Sequence, residues 1–299
     1  MGTPQFACPT LQKLIADPSF EIVAVYTREP QIAGRGHKLS NSPIHDLALQ
    51  HGLRVITPKT LRNPQIQQEF RELGADAAVV VAYGLILPPE ILQATKLGCI
   101  NLHPSLLPRW RGPSPIQYTF FGGDEEIGVT IIQMDAGIDS GDMILQQKFP
   151  LQKNDNYGNL APKLAELGAN MIIESLQNLR DGNAALTKQN QALATFSKKL
   201  EKSQSKIDWN LSAEEILHKI RGLSGSLTAY FEFNGEIIKI YEAEIVSESD
   251  NVKPSEVFID HANNQIIIQC GKDRIKPLVL QKSGKKAMTS REFLNGIKI

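Results

Sequence analysis

The sequence predicts a two-domain α/β protein, in which a mostly parallel sheet domain is followed by a small β-barrel domain. Apolar strands alternate with amphipathic helices through residues 1–183, as is typical of a parallel sheet covered by helices on both faces. Residues 207–299 instead alternate short strands with turns, and Asn234-Gly235 is a strong β-hairpin signal. The intervening residues 184–206 are polar and rich in lysine, so we interpret them as a basic linker.

The first domain is predicted to be a doubly wound, Rossmann-like sheet. Its strands read as apolar runs, and its helices carry apolar residues at a spacing of three to four. Ser42 is the expected cap of the helix that starts at Pro43. The predicted strands cover residues 20–26, 53–57, 76–83, 99–103, 128–133 and 142–150, and the predicted helices cover residues 9–17, 43–51, 64–73, 88–94, 113–121 and 156–180.

Two polar side chains stand at the end of the predicted strand 99–103. Alternate side chains of a strand share a face, so Asn101 and His103 point the same way. Ligands of α/β proteins bind at the carboxyl ends of parallel strands, where this amide and imidazole would meet them. Ordinary hydrogen bonding to a neighbouring loop is the alternative interpretation of both residues.

An acidic motif follows the next apolar strand, at residues 134–142. Glycines lie two positions to either side of Asp139 and favour a tight turn that presents one carboxylate at a strand end. A plain turn between two strands is the alternative interpretation. We expect Asn101, His103 and Asp139 to meet at the same edge of one sheet.

Composition excludes several classes of protein. The 299 residues carry 32 Lys or Arg and 32 Asp or Glu, so no global basic field indicates a nucleic-acid partner. Three widely separated cysteines form neither a metal motif nor a disulfide framework, which suits a reducing, cytoplasmic compartment. The sequence shows no secretory signal, and no apolar segment reaches the roughly 20 residues of a membrane span.

Residues 101–108, Asn-Leu-His-Pro-Ser-Leu-Leu-Pro, and residues 135–141, Asp-Ala-Gly-Ile-Asp-Ser-Gly, resemble motifs of the folate-dependent formyltransferase superfamily. The resemblance covers nearly the whole chain, and within the superfamily it is to the members that act on tRNA. It implies that residues 1–183 are the catalytic domain and that residues 207–299 form an OB-like, tRNA-binding barrel. Shorter matches are Gly2-Thr3-Pro4-Gln5-Phe6-Ala7, Ala33-Gly34-Arg35-Gly36, Val81-Ala82-Tyr83-Gly84, Ile207-Asp208-Trp209 and Gly284-Lys285-Lys286.

The resemblance implies an enzyme of translation initiation that works without a metal. Its co-substrate would be 10-formyltetrahydrofolate, and the formyl group would pass to the amino group of methionine on initiator methionyl-tRNA. The reaction needs a neutral amine, a stabilised oxyanion and a proton for the leaving folate nitrogen. Asn101 is the expected oxyanion donor. His103 can donate to the oxyanion or act as acid and base, because the ordinary pKa of imidazole lies near about 6.5. Asp139 would favour the imidazolium and relay a proton.

The resemblance also implies where folate and tRNA bind. Small, apolar residues let backbone groups approach a flat pterin ring, although the alternative interpretation of such residues is ordinary core. Arg35 matches the arginine that reaches the acceptor end of the tRNA, and Lys38 lies in the same loop. An arginine suits this role because its planar fork binds phosphate and stacks on bases. The expected folate-binding residues are Ser105, Leu106, Leu107, Pro108, Tyr83, Gly84 and Leu85.

The carboxyl-terminal residues carry a local excess of positive charge. Residues 270–299 hold eight Lys or Arg against Asp273 and Glu292. Beside the basic linker, this excess fits a surface that contacts the tRNA backbone, and a solvated barrel face is the alternative. We expect a monomer that binds folate and tRNA and no membrane.

The amino terminus departs from the family pattern. The family begins with a short apolar strand that leads into the Gly-Thr-Pro turn, whereas Met1 occupies the position just before that turn. The first strand of a doubly wound sheet is usually central. We therefore expect the natural protein to carry residues upstream of Met1.

Three other classes of function compete with this interpretation: a hydrolase, a formyltransferase with a different acceptor and a non-catalytic RNA-binding protein. A serine hydrolase would use Ser105, His103 and Asp139, but the chain has no Gly-x-Ser-x-Gly elbow. A formyltransferase acting on glycinamide ribonucleotide would need neither the Arg35 loop nor the barrel, whereas one acting on a nucleotide-linked amino sugar carries a similar second domain. A non-catalytic RNA-binding protein would not need the three polar residues of the site.

Overall fold

The computed structural model describes residues 1–33, 38–247, 252–260 and 263–295. The chain divides into two compact units, each built from more than one stretch of sequence. The predicted bounds of the domains and of the linker stay a prediction. The first unit comprises Met1–Pro115, Ile127–Phe149 and Ala161–Ser197, and the second comprises Ile116–Glu126, Pro150–Leu160 and Lys198–Ile299.

Helices and strands alternate along the amino-terminal two thirds of the chain, as the sequence predicts. The helices there are α1 (Cys8–Ala16), α2 (Pro43–Gln50), α3 (Pro64–Glu72), α4 (Pro89–Leu92), α5 (Pro115–Phe121) and α6 (Tyr157–Arg180). The strands are β1 (Val25–Tyr26), β2 (Gln31–Ala33), β3 (Lys38–Ser40), β4 (Val55–Ile56), β5 (Ala78–Val80), β6 (Cys99–His103), β7 (Glu126–Gln133) and β8 (Met143–Pro150).

Strands β5, β6, β7 and β8 lie side by side in that order. The β5–β6 pair is parallel, with Val79 opposite Ile100, and β1 also pairs with β4 in parallel. These pairs confirm the predicted Rossmann-like α/β class. Strand β7 runs antiparallel to β6, with Ile100 opposite Gln133. The end of β7 therefore lies beside the start of β6, and the segment after β7 has to fold back along β6 to reach its carboxyl end.

Met1 and Gly2 lie between β1 and β5 and continue the parallel sheet. The Met1 ammonium donates to the Val79 carbonyl at 2.7 Å, and the Gly2 amide donates to the Tyr26 carbonyl at 3.0 Å. Next to Met1 and Gly2, a cavity of about 550 Å³ separates β1 from β5. Residues 20–24 line this cavity instead of pairing with a neighbour, so the strand predicted at 20–26 is reduced to β1.

Helix starts in both units follow the sequence signals. The Ser42 hydroxyl accepts a hydrogen bond from the His45 amide at 3.1 Å and caps α2, which begins at a proline as predicted. In the second unit, Ser212 and Glu215 form a capping box at the start of α7 (Ala213–Leu223). Side-chain oxygens satisfy amides that the first helical turn leaves without intrahelical partners, so each cap fixes where its helix begins.

The second unit contains an antiparallel sheet, in keeping with the predicted barrel class. Asn234 and Gly235 have φ values of 51° and 76°, as a tight hairpin turn requires. Helix α7 contributes Ile216, Ile220 and Leu223 to the buried core against this sheet. The remaining elements are β9 (Ala229–Phe233), β10 (Glu236–Val246), β11 (Val257–Asp260), β12 (Gln265–Gln269), β13 (Arg274–Lys282), β14 (Met288–Thr289) and α8 (Ser290–Asn295). Among the residues that the structure describes, no helix is long and apolar enough to cross a membrane.

Candidate active site

Strand β6 presents Asn101 and His103 on one face, as the alternation of its side chains predicts. Asn101 pairs with Ile132 of β7, and His103 pairs with Thr130. The intervening Leu102 packs on the opposite side, where a Cβ on Gly168 of α6 would lie 2.4 Å from it. Asn101 and His103 are only 8% and 4% exposed, so both polar groups depend on protein partners or substrate for hydrogen bonds.

The turn after β7 folds back along β6 and carries Asp139 to that face. Asp139 adopts a φ of 48°, a left-handed conformation that aspartate tolerates better than most side chains. Gly141 is required for space, because a Cβ there would lie 1.9 Å from the Gln133 carbonyl oxygen. The Asp135 carboxylate closes the turn by accepting from the Gly137 amide at 3.0 Å and the Ser140 hydroxyl at 2.7 Å.

The three predicted polar residues converge in the first unit. Asp139 Oδ1 lies 3.4 Å from Asn101 Nδ2, and Asp139 Oδ2 lies 3.6 Å from His103 Nδ1. Oδ2 also accepts the amide of Gly112 at 2.8 Å. An amide donor, an imidazole and a carboxylate therefore surround one small volume, which is the arrangement that oxyanion stabilisation with proton transfer requires.

The other ring nitrogen of His103 determines how the ring can exchange protons. Nε2 lies 2.9 Å from the carbonyl oxygen of Trp110. A carbonyl oxygen only accepts, so we assign the hydrogen of the neutral ring to Nε2. Nδ1, which faces Asp139, is then the nitrogen that gains and loses a proton.

Side chains of β7 and β8 hold the predicted folate segment, residues 105–108, in place through hydrogen bonds. The Thr130 hydroxyl donates to the Ser105 carbonyl at 2.7 Å and accepts from the Leu107 amide at 3.2 Å. Gln146 donates to the Leu107 carbonyl at 2.9 Å. The Ser105 side chain is fully buried and donates to the Arg109 carbonyl at 2.7 Å. Its hydroxyl thus shapes the loop and is not presented as a nucleophile, which argues against the serine hydrolase.

The second predicted folate segment, residues 83–85, lies partly in the core and partly at the surface. The Tyr83 ring lies in the core with Tyr26 and Leu87, and burial raises the pKa of its hydroxyl well above the usual range. Gly84 has a φ of 82°, and its carbonyl accepts from Arg28 at 3.4 Å. Leu85 packs against the same core. The parts of this segment that remain accessible to a ligand are Gly84, the half-buried Leu85 and the neighbouring Ile86, which is 72% exposed.

The predicted tRNA contacts in the first unit fall largely beyond the described residues. Arg35 lies outside them, in the connection between β2 and β3. Lys38 begins β3 as a backbone position, and its side chain is likewise outside the described part. The two strands pair antiparallel, with Ile32 opposite Leu39, and both of these apolar side chains are more than 60% exposed, at 65% and 74%.

The sequence did not reveal the residues that support His103 and Asp139 through hydrogen bonds. Trp110 and Gly112 bond His103 and Asp139 through their backbones. Arg111 between them is buried, and it contacts Gln189 of the stretch interpreted as a linker. Proximity to the residue 101–108 motif could have indicated Trp110 and Gly112, but no sequence signal pointed to Gln189. Within the described residues, no cluster of His, Cys, Asp and Glu is arranged to hold a metal ion.

Comparisons with known proteins agree with this geometry. The formyl transferase family model matches residues 1–176, and the model of the formyl transferase C-terminal domain matches residues 199–298. The chain is 41% identical over 296 residues to the methionyl-tRNA formyltransferase of Pseudoalteromonas translucida (strain TAC 125), covering 99% of this chain and 92% of that protein.

Two solved structures share the fold at low identity. WlaRD, a sugar 3N-formyl transferase crystallised in the presence of dTDP and 5-N-formyl-THF, aligns with a TM-score of 0.68 at 19% identity, covering 95% of this chain and 97% of that one. HypX from Aquifex aeolicus, in complex with tetrahydrofolic acid, aligns with a TM-score of 0.59 at 19% identity. That alignment covers 84% of this chain but only 44% of HypX. Because the two family models together match most of its length, the chain belongs to the formyl transferase family.

Proposed function

We propose that this chain transfers the formyl group of 10-formyltetrahydrofolate to the amino group of methionine on initiator methionyl-tRNA. The observation that carries the proposal is the convergence of Asn101, His103 and Asp139 within 3.4 to 3.6 Å. The identity to a methionyl-tRNA formyltransferase over nearly the full chain favours this acceptor over an amino sugar.

Asn101 serves as the oxyanion donor in this proposal. One hydrogen of its amide group is directed at Asp139, 3.4 Å away, and the other has no partner among the described residues and can meet the developing oxyanion. The amide is held by strand β6 and is nearly buried, so it need not reorganise when charge develops. An amide in a site that excludes water stabilises an oxyanion more than it would in solution.

His103 and Asp139 move protons in the proposed reaction. Nδ1 accepts a proton from the attacking amine and returns it to the folate nitrogen as that nitrogen leaves. The 3.6 Å gap to Asp139 is longer than a direct hydrogen bond, and a water molecule or the substrate amine can bridge it. The carboxylate stabilises positive charge on the ring while the proton resides there.

Folate is proposed to bind over residues 105–108, next to the exposed end of residues 83–86. The Thr130 and Gln146 hydrogen bonds fix this loop from the protein side, which leaves its outer surface for a flat ring. The tRNA is proposed to contact Arg35 and Lys38 of the first unit and the basic residues of 207–299. Contacts of this kind weaken steeply as salt rises.

The test is formation of formyl-methionyl-tRNA from 10-formyltetrahydrofolate and initiator methionyl-tRNA. We expect Asp139→Asn to lower kcat by roughly a hundredfold while leaving the KM for folate nearly unchanged. Asp135→Asn is the matched control in the same turn, because its amide oxygen still accepts from Gly137 and Ser140. No product with the unmodified protein, or equal turnover of the two variants, would refute the proposal.

A further inference from the structure

Gln189 lies in a stretch that packs against the active-site loops instead of spanning free solvent. Thr187 pairs with Met143, and Phe196 pairs with Arg111. The segment runs beside the loop that carries Trp110 and Gly112, and the Arg111 amide donates to the Thr195 carbonyl at 2.9 Å. Gln189 is 5% exposed although its neighbours in sequence are largely exposed, so this one side chain is drawn inward.

The buried amide of Gln189 makes four hydrogen bonds. Its Oε1 accepts from Arg111 Nη2 at 2.7 Å and from Arg111 Nε at 3.0 Å. Its Nε2 donates to the Asp139 carbonyl and to the Gly141 carbonyl, both at 2.8 Å. One side chain therefore joins the guanidinium of the Trp110–Gly112 loop to the backbone of the turn that carries Asp139.

Asp139 is thus tied to the Trp110–Gly112 loop through both its carboxylate and its backbone carbonyl. Its carboxylate accepts the Gly112 amide at 2.8 Å, and its backbone carbonyl is tied through Gln189 to Arg111, the residue before Gly112. The residue also has a φ of 48°, which an unsupported turn holds less firmly. Loss of the Gln189 connection would let the Asp139 turn move relative to Gly112 and His103.

We propose that Gln189 is a positioning residue of the reaction, which fixes the Asp139 carboxylate toward His103 and Asn101. This inference rests on the proposed function of that site. Gln189 acts through Asp139 and does not touch the reacting atoms. Glutamine suits the task because its amide accepts at one atom and donates at the other, so it can bond a guanidinium and two carbonyls at once.

Gln189→Glu distinguishes a residue that only supports the fold from one that positions Asp139. Gln189→Glu keeps the acceptors for Arg111 and adds an ion pair to them, so the buried guanidinium stays satisfied. It removes both donors and places a carboxylate oxygen against the Asp139 and Gly141 carbonyls. Gln191→Glu is the matched control, because Gln191 accepts from Arg111 Nη1 at 2.8 Å and has no contact with the Asp139 turn among the described bonds.

The first readout is the split between kcat and KM. We expect Gln189→Glu to lower kcat roughly ten- to hundredfold with the KM for folate nearly unchanged, because small displacements of a catalytic group are costly. The kcat of Gln191→Glu should stay within about twofold of that of the unmodified protein, which is the variation usual for residues that do not couple to the site. In the Asp139→Asn background, Gln189→Glu should have almost no further effect, since the two residues act as one unit. Additive losses would overturn the proposal.

The second readout is independent of activity. The Gly112 amide donates to Asp139, so its proton chemical shift in an NMR spectrum reports that hydrogen bond. We expect Gln189→Glu to move the Gly112 signal upfield and Gln191→Glu to leave it in place. An unchanged signal in both variants would overturn the positioning role even if the chain proved inactive on methionyl-tRNA. A shifted signal without formyl transfer would contradict the proposed function alone.

Discussion

The Gly112 amide donates to the Asp139 carboxylate at 2.8 Å, across 27 residues of sequence. Gly112 adopts a φ of 106°, and its Cα faces the Ser197 carbonyl so closely that a Cβ would lie 2.6 Å from that oxygen. Both the left-handed backbone and the missing side chain are needed for the amide to point at Asp139. The position of the carboxylate therefore depends on the backbone of Gly112, a residue with no side chain of its own.

We predict that Gly112→Ala destabilises the protein by about 2 to 4 kcal/mol and lowers kcat as well. The cost arises because a methyl group meets backbone atoms that cannot rotate away and because φ lies where alanine is strained. Urea denaturation measures the stability, and steady-state assays measure the turnover.

Gly182→Ala is the control for this prediction. Gly182 has a φ of 72°, but a Cβ added there would meet no atom of the described residues within 4 Å, so Gly182 shares the backbone strain without the clash. We expect a loss of about 1 kcal/mol and full activity. Equal losses in the two variants would show that contact with Ser197 contributes nothing.

The amide of Asn101 should matter for the transition state and little for binding. We predict that Asn101→Ala lowers kcat by about 10²- to 10³-fold, the usual cost of one oxyanion donor. KM for both substrates should change little, because the donor is aimed at charge that develops only during the reaction. Steady-state kinetics with varied folate and varied tRNA separates the two constants, and a raised KM at constant kcat would contradict the assignment.

Thr130 supports the proposed folate loop through its hydroxyl. We predict that Thr130→Val raises the KM for folate and destabilises the protein by roughly 1 to 3 kcal/mol, because the Ser105 carbonyl and the Leu107 amide lose a buried partner. Thr10→Val is the matched control, since the buried Thr10 hydroxyl has no hydrogen-bond partner among the described residues. That change should be neutral or stabilising. Indistinguishable effects of the two substitutions on folate KM would refute the support role.

The sequence predicts which side chains share a face of a strand better than it predicts how the strands pair. Alternation along β6 is enough to place Asn101 and His103 on one face, and the flanking glycines correctly indicate a turn at Asp139. The sequence does not report that β7 runs antiparallel to β6, so that these two strands end at opposite edges of the sheet. Asp139 reaches the site only because its turn folds back along β6, and no periodicity in the sequence reports the direction of a strand.

Contacts made by polar side chains over long separations could not be predicted. Gln189 lies 78 residues from Arg111 and 50 residues from Asp139, in a stretch whose composition is that of a solvated linker. The strand expected at residues 20–26 is short for a related reason. Its sequence has strand character, but a strand forms only where a partner offers a ladder, and residues 20–24 face a cavity.

The most direct test of the site is single-turnover formyl transfer to initiator methionyl-tRNA by the unmodified protein and by His103→Gln. Glutamine can still donate to the Trp110 carbonyl, but it cannot exchange a proton where Nδ1 now faces Asp139. The account predicts formyl-methionyl-tRNA from the unmodified protein and a rate about 10²- to 10⁴-fold lower in the variant. A variant that transfers the formyl group at the original rate would contradict the proposed roles of His103 and Asp139.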